Sequence, residues 1–287
     1  MLRNVRPPAD RRHDVSGRCV VCGANTTFVF NSWVVPPKQF VDVTDRNVLS
    51  AYQRRESLFC RSCSSSQRVR RIAEVLIDLY GNGAGTFAEL VKTEPFRSCS
   101  IAEINAIGSV GAFQGYLDQL PGLAFSEYRG AEHLGEMVDG ARNEDICNLT
   151  YPDASFDIVL SSDTLEHIPD FSAALRETLR VLRPGGRHIF TVPVVASRPK
   201  TFARAEIGPD DVIVHHSPPL FHGRGAGLFR YLPTGDDLLA YTEFGGDISD
   251  HLRKAGFEPE VFGGDDGDTT GATLVFSARA PEKGVPR

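Results

Sequence analysis

Long apolar runs are missing from this chain of 287 residues. None approaches the ~20 residues that a helix needs to cross a bilayer, so no membrane partner is expected. The front of the chain, Met1 to Ser16, is polar and rich in Arg and Pro, and lacks the apolar core of a secretory signal. A cytoplasmic location is therefore expected. Neither hydrophobic content (41%) nor charged content (24%) is extreme, which leaves an ordinary globular composition. The length allows one large domain, or one domain with a small accessory module.

The net charge of −6 is unevenly spread. Residues 1–75 hold 13 Lys and Arg against 6 Asp and Glu, a balance of +7; the remainder, 18 against 31, gives −13. A basic front and an acidic body suggest two modules with different surfaces. The front also holds two Cys-x-x-Cys pairs, Cys19/Cys22 and Cys60/Cys63. Two-residue spacers let both thiolates of a pair face one ion, and Gly23 permits the tight turn beneath the first. Four thiolates suit a closed, structural zinc site. The 37 residues between Cys22 and Cys60 exceed the usual ribbon spacing of about 15–20. Unmetallated pairs or a redox dithiol are the other readings; no βαβ context supports the latter. Cys99 and Cys147 read as small buried residues.

The pattern predicts strands at Thr26–Phe30 and Trp33–Val35. A helix capped within Ser64–Ser66 buries Val69, Ile72, Val75, Leu76 and Leu79. Arg68, Arg70 and Arg71 occupy its other faces, either as a solvated basic surface or as a grip on phosphates. Gly81 to Gly85 reads as a domain joint, followed by a short helix over Thr86–Lys92. Strands are expected at Ser100–Asn105 and Leu123–Ser126, with a helix between them ending near Leu120. Phe156–Leu160 is a buried strand. The stripe Phe171, Ala174, Leu175, Thr178, Leu179 and Leu182 makes a helix, capped by Asp170 and stopped by Pro184-Gly185-Gly186. Ile189–Val192 is the next strand. Strand, helix, strand is a βαβ unit of a parallel sheet, and ligands lie beyond the carboxyl ends of such strands. Ser161 to His167 fall on that side. Asp247–Lys254 is a last helix, and Glu260–Phe262 with Thr273–Ala278 form a hairpin. The acidic turn Asp265-Asp266-Gly267-Asp268 reads as solvated rather than calcium-binding.

FDIVLSSDTLEHI followed by a helix, LRPGG and a strand resembles the second half of a class I S-adenosylmethionine-dependent methyltransferase. Weaker similarity runs through about residues 86–280. The resemblance implies a Rossmann-like α/β fold with a seven-stranded sheet, and S-adenosylmethionine as cofactor. It places Glu103 at the tip of the first strand and Glu127, beside Tyr128, where an acid holds the two ribose hydroxyls. It puts Asp145 at the adenine amino group and Ile146 against the ring. Ser162 and Asp163 would lie near the methyl group, with His167 as structural residue or base. The family's Gly-x-Gly-x-Gly turn is lacking: Glu103 to Gly108 keeps one glycine, and Asn105 stands where its amide can replace a backbone contact. A non-catalytic binding protein with a degenerate cofactor site is thus an alternative. CxxCG through RRESLFCRSC also resembles zinc-knuckle methyltransferases of bacterial glycan and natural-product pathways.

The expected organisation is a basic tail (1–16), a zinc-binding module and linker helix (17–85), and a methyltransferase domain (86–280) carrying a substrate-covering insertion (195–244), with a tail at 281–287. In the insertion His215, His216 and His222 are candidates for substrate contact or proton removal, or for a metal site with Asp211; loop histidines facing water are the other reading. The reaction would be direct displacement of a methyl group onto oxygen, nitrogen or carbon of a small molecule or saccharide. Nucleic acid is the alternative partner, with the basic front steering a polyanion, although that front lacks interleaved aromatics.

Overall fold

The computed structural model describes residues 15–31, 41, 43–108, 111–222, 239–263 and 269–282. The strand expected at Trp33–Val35, and the turn centred on Asp265–Asp268, lie outside them.

Three short antiparallel strands come first: β1 (Val15–Arg18), β2 (Asn25–Phe30) and β3 (Leu58–Cys60), in the order β1-β2-β3. Helix α1 (Arg46–Ser57) lies between β2 and β3 and runs directly into β3. Asp45 caps it, accepting from the Asn47 and Val48 amides. Its buried residues include Val48, Tyr52, Arg55 and Glu56. With two charged residues on the inward face, no apolar stripe announces this helix. Helix α2 (Gln67–Tyr80) follows, its amino end capped by the Ser66 hydroxyl, which accepts from the Val69 amide at 3.3 Å. Thr86 caps the short α3 (Phe87–Leu90).

The main sheet is built from β4 (Ile101–Ile104), β5 (Leu123–Glu127), β6 (Met137–Val138), β7 (Ala141–Asn143), β8 (Phe156–Ser162) and β9 (Leu182–Thr191). Helix α4 (Ala112–Leu117) links β4 to β5, and α5 (Phe171–Val181) links β8 to β9. After β9 come four short strands, β10 (Phe202–Ala203), β11 (Ala205–Ile207), β12 (Ile213–His215) and β13 (Thr242–Glu243). Helix α6 (Ile248–Lys254) and the hairpin β14 (Glu258–Phe262) and β15 (Val275–Arg279) complete the chain. The order is β14-β15-β9-β8-β4-β5-β7-β6. Strands β7, β5, β4, β8 and β9 are parallel, and β15 runs antiparallel to both its neighbours. The expected seven strands are present, and β6 adds an eighth by pairing with β7.

Alternation along each strand feeds two cores. Ile158 and Leu160 of β8 face α2, α3 and α4 on one side; Val159 faces α5 and α6 on the other. The four paired cysteines belong to the first of these cores, together with Ile101, Leu160 and Val275 of the sheet. The amides of Phe87 and Ala88 donate to the carbonyls of Val20 and Val21, so the first knuckle seats the start of α3.

Pro184-Gly185-Gly186 does not form a loop. β9 already pairs at Leu182 with Phe156, and pairing resumes at Arg187 with Ile158 after a register shift. The Pro-Gly-Gly run is absorbed as a bulge inside the strand, with Gly185 at φ 78°. Cys99 and Cys147 are half-buried rather than buried.

Candidate cofactor and metal sites

The topology reverses between β4 and β8, where crossovers leave in opposite directions along the sheet. Such a switch point opens a crevice beyond the strand ends. Both tips there carry a residue in the left-handed region, Asn105 at φ 58° and Asp163 at φ 49°. Asn and Asp tolerate that conformation better than other non-glycine residues. Asn105 therefore supplies the sharp turn with a side chain, and its Oδ1 accepts from the Tyr128 amide at 3.3 Å, tying the β4 tip to the β5 tip.

Glu103 is fully buried at the end of β4. Its carboxylate accepts from the Ile107 amide at 3.0 Å and from Gln114 Nε2 at 2.8 Å. Burial nevertheless pushes its pKa up to about 7. These bonds tie Glu103 to the turn that leads to Gly108. Glu127 ends β5 half-exposed and paired with Arg129. Tyr128 beside it is exposed. Asp145 accepts from the Cys147 amide at 2.8 Å with one oxygen, and Ile146 is buried. Just before them Glu144, buried, takes bonds from Arg142, the Thr150 amide and the Thr150 hydroxyl and fixes the loop that carries Asp145.

Ser162 and Asp163 at the β8 tip are engaged by the amino-terminal helices. Arg55 of α1 makes a bidentate pair with Asp163 at 2.6 Å through both nitrogens, and also donates to Glu56 at 2.6 Å. Arg68 of α2 donates to Glu56 at 2.9 Å, to the Ile107 carbonyl at 3.0 Å and to Ser162 Oγ. The Thr191 hydroxyl donates to Asp163 at 2.9 Å. Against the cost of burial, the two guanidinium groups hold the Asp163 carboxyl far below the usual carboxylate range. Tyr52 adds a second fastening: its hydroxyl accepts from the Val194 amide at 2.6 Å and donates to the Val194 carbonyl at 2.7 Å. Composition could not reveal Arg55, Glu56, Arg68 or Thr191, because only the folded chain brings α1 and α2 to the sheet. The arginines of α2 form neither a solvated face nor an open phosphate grip. Arg70 is buried over the Phe28 ring at 4.3 Å and donates to the Leu58 and Ser65 carbonyls. Arg71 bonds Glu74 and the Gly263 carbonyl.

His167 and His222 come together although 54 positions separate them in the sequence. Their rings meet edge to face, with centroids 4.7 Å apart. His167 is held well below its ordinary pKa, at about 3, by burial and then by the neighbouring His222. His215 and His216 lie exposed on the β11–β12 hairpin, with His216 Nε2 3.5 Å from Glu206.

The four paired cysteines converge. Cys19 Sγ lies 3.8 Å from Cys63 Sγ and Cys22 Sγ 4.0 Å from Cys60 Sγ, and all four sulfurs lie within 4.8 Å of one another. Sulfurs at ~2.3 Å from one tetrahedral zinc stand roughly 3.8 Å apart, so the donor set fits the ion. Both knuckles turn on a left-handed residue, Gly23 at φ 77° and Ser64 at φ 59°.

Residues 111–190 match the family described as "Methyltransferase domain". The matched stretch holds Glu127, Asp145, Ser162, Asp163 and His167 and begins after β4, beyond the glycine-poor turn. Among curated proteins, the chain is similar to sarcosine/dimethylglycine N-methyltransferase of Halorhodospira halochloris, at 48% identity over 24% of this chain and 23% of that protein. It is also similar to 27-O-demethylrifamycin SV methyltransferase of Amycolatopsis mediterranei, at 34% identity over 40% of this chain and 34% of that one. The chain thus spans between a quarter and a third of the length of these relatives. Among solved structures, an S-adenosylmethionine-dependent methyltransferase from Mesorhizobium loti aligns with 63% of this chain and 90% of its own, at 19% identity and a TM-score of 0.35. Among the described residues, no helix is long and apolar enough to cross a membrane.

Proposed function

We propose that the chain is an S-adenosylmethionine-dependent methyltransferase acting on a small-molecule acceptor. The observation that carries this reading is the row of acidic residues beyond adjacent parallel strands. Glu103 lies near the end of β4, Glu127 ends β5 and Asp145 follows β7, in a sheet whose switch point lies beside them. Two carboxylate oxygens on Glu127 suit two neighbouring hydroxyl donors of a ribose. The oxygen of Asp145 not held by Cys147 suits an exocyclic amine, with Ile146 as the apolar neighbour. Arg68 lies between the two switch-point tips and fixes them relative to each other through the Ile107 carbonyl and Ser162. When bound, the cofactor supplies an electrophilic methyl group. The protein's contribution is alignment and exclusion of water, which carries most of such a rate. His167 stays neutral with its ring fixed, which suits positioning more than proton removal. His215 and His216 lie on the exposed hairpin of the insertion, at the reach of an arriving acceptor.

The acceptor is a small molecule with an oxygen or nitrogen nucleophile, a natural product or saccharide included. The relatives named for rifamycin and sarcosine substrates support that breadth. The buried commitments of Arg55, Arg68 and Arg70 take these three cations out of any RNA-binding surface. The four cysteines hold a structural zinc ion in this reading. Isothermal titration with S-adenosylmethionine tests the proposal. Saturable binding, lost in Glu127→Ala, is expected; absence of heat up to millimolar ligand would leave a non-catalytic protein.

A further inference from the structure

Glu166 follows the β8 tip in a short turn that buries it almost completely, at 1% exposure. Neither carboxylate oxygen has a hydrogen-bond partner at ordinary distance among the described residues, its approach to His222 being 3.6 Å. A buried carboxylate left so is costly, unless a cation completes it. What faces it is imidazole. His167 Nε2 lies 3.7 Å and His222 Nδ1 3.6 Å from Glu166 Oε1, and the three donor atoms fall within 4.8 Å of one another.

The tautomer of His167 is set from behind. Its Nδ1 lies 3.0 Å from the Leu239 carbonyl, which accepts only, so Nδ1 carries the proton and Nε2 turns its lone pair toward Glu166. A backbone carbonyl fixing the far nitrogen is the support that metal-ligating histidines use. The segment is pinned again where the Tyr241 amide donates to the Glu166 carbonyl at 2.8 Å. Cis donors on an ion at ~2.1 Å stand roughly 3.0–3.4 Å apart, so each Glu166–imidazole separation needs to close by only a few tenths of an ångström.

We propose that Glu166, His167 and His222 form a second metal site, chemically distinct from the four cysteines, which takes a divalent first-row ion. Two imidazoles and one carboxylate fill three positions and leave the rest for oxygen ligands, water or a chelating hydroxyl or carboxylate group. His222 belongs to the insertion and Glu166 to the sheet tip, so the ion clamps one to the other. The claim of occupancy stands independently of the methyl-transfer reading.

The test uses the full chain, stripped with a mild chelator and titrated with Mn²⁺ under electron paramagnetic resonance. Mn²⁺ prefers oxygen and imidazole, so the thiolates do not compete. One tight Mn²⁺ per chain is expected. Glu166→Gln should weaken it at least a hundredfold and His222→Ala at least tenfold, with melting curves to show that both variants fold. Should Glu166→Gln fail to fold, His222→Ala and His167→Ala decide. In the wild type, Co²⁺ at this site should add weak visible bands without thiolate charge transfer. No uptake at millimolar Mn²⁺ or Co²⁺ would mean that a proton bridges Glu166 and His222 and would overturn the proposal. Uptake unchanged in the variants would overturn it equally.

Discussion

Single side chains at the strand tips carry the strongest expectations. Glu127→Ala should weaken S-adenosylmethionine binding more than tenfold in calorimetry, because a charged acceptor pair is lost. Arg55→Ala leaves Asp163 buried beside a single distant guanidinium, Arg68 at 3.6 Å. Breaking a buried pair from one side costs about 3–5 kcal/mol, which urea unfolding would read. The two shifted carboxyls act oppositely on stability. Asp163 is depressed, so its contribution is complete above its ordinary value of 3.8 and drains away as pH falls below it. Glu103 is raised from 4.5 to about 7, so the folded state holds a proton that the unfolded state has released, and stability falls as pH climbs through that window. Glu103→Gln should flatten the slope between those two values in pH-dependent melts while leaving the acid limb intact. Glu103 and Glu127 were legible in the sequence because each lies at the end of a recognisable strand, and Asp145 through the family resemblance. Arg55 and Glu56 were not, since buried ion pairs have no periodicity to read.

Among the elements, α1 and β9 departed most from the pattern. The first hides behind inward-facing charge; the second continues through a Pro-Gly-Gly run that ordinarily breaks a strand. The parallel core was legible because β4, β5 and β8 are apolar runs bounded by turn residues. The turn before α4 tests how closely these elements meet. Gly111 has φ 116°, and a Cβ there would lie 2.9 Å from the Cys63 carbonyl oxygen and 3.0 Å from the Ser64 carbonyl carbon. The Ala112 amide donates to that same Cys63 carbonyl at 2.9 Å. Gly111→Ala should cost about 1–3 kcal/mol from backbone strain and crowding. Since the crowded backbone belongs to the second knuckle, the variant should also lose zinc faster to a chelator, followed with a colorimetric zinc indicator.

For the whole molecule, the basic front and acidic body suggested two modules, yet the cysteines sit in one core with β4, β8 and β15. Cys60→Ser should therefore release zinc and destabilise the entire chain by several kcal/mol. Calorimetry should show one transition at lower temperature; an early, separate transition of the front alone would contradict this. Cys60 ends the strand that extends α1, and Cys63 lies three residues before the Ser66 cap of α2. The helices bearing Arg55 and Arg68 thus both grow out of the sulfur cluster. Any agent that extracts or oxidises those sulfurs would reach the tips of β4 and β8 without ever entering the crevice between them, so the proposed methyl transfer should respond to the thiol chemistry of the protein's surroundings.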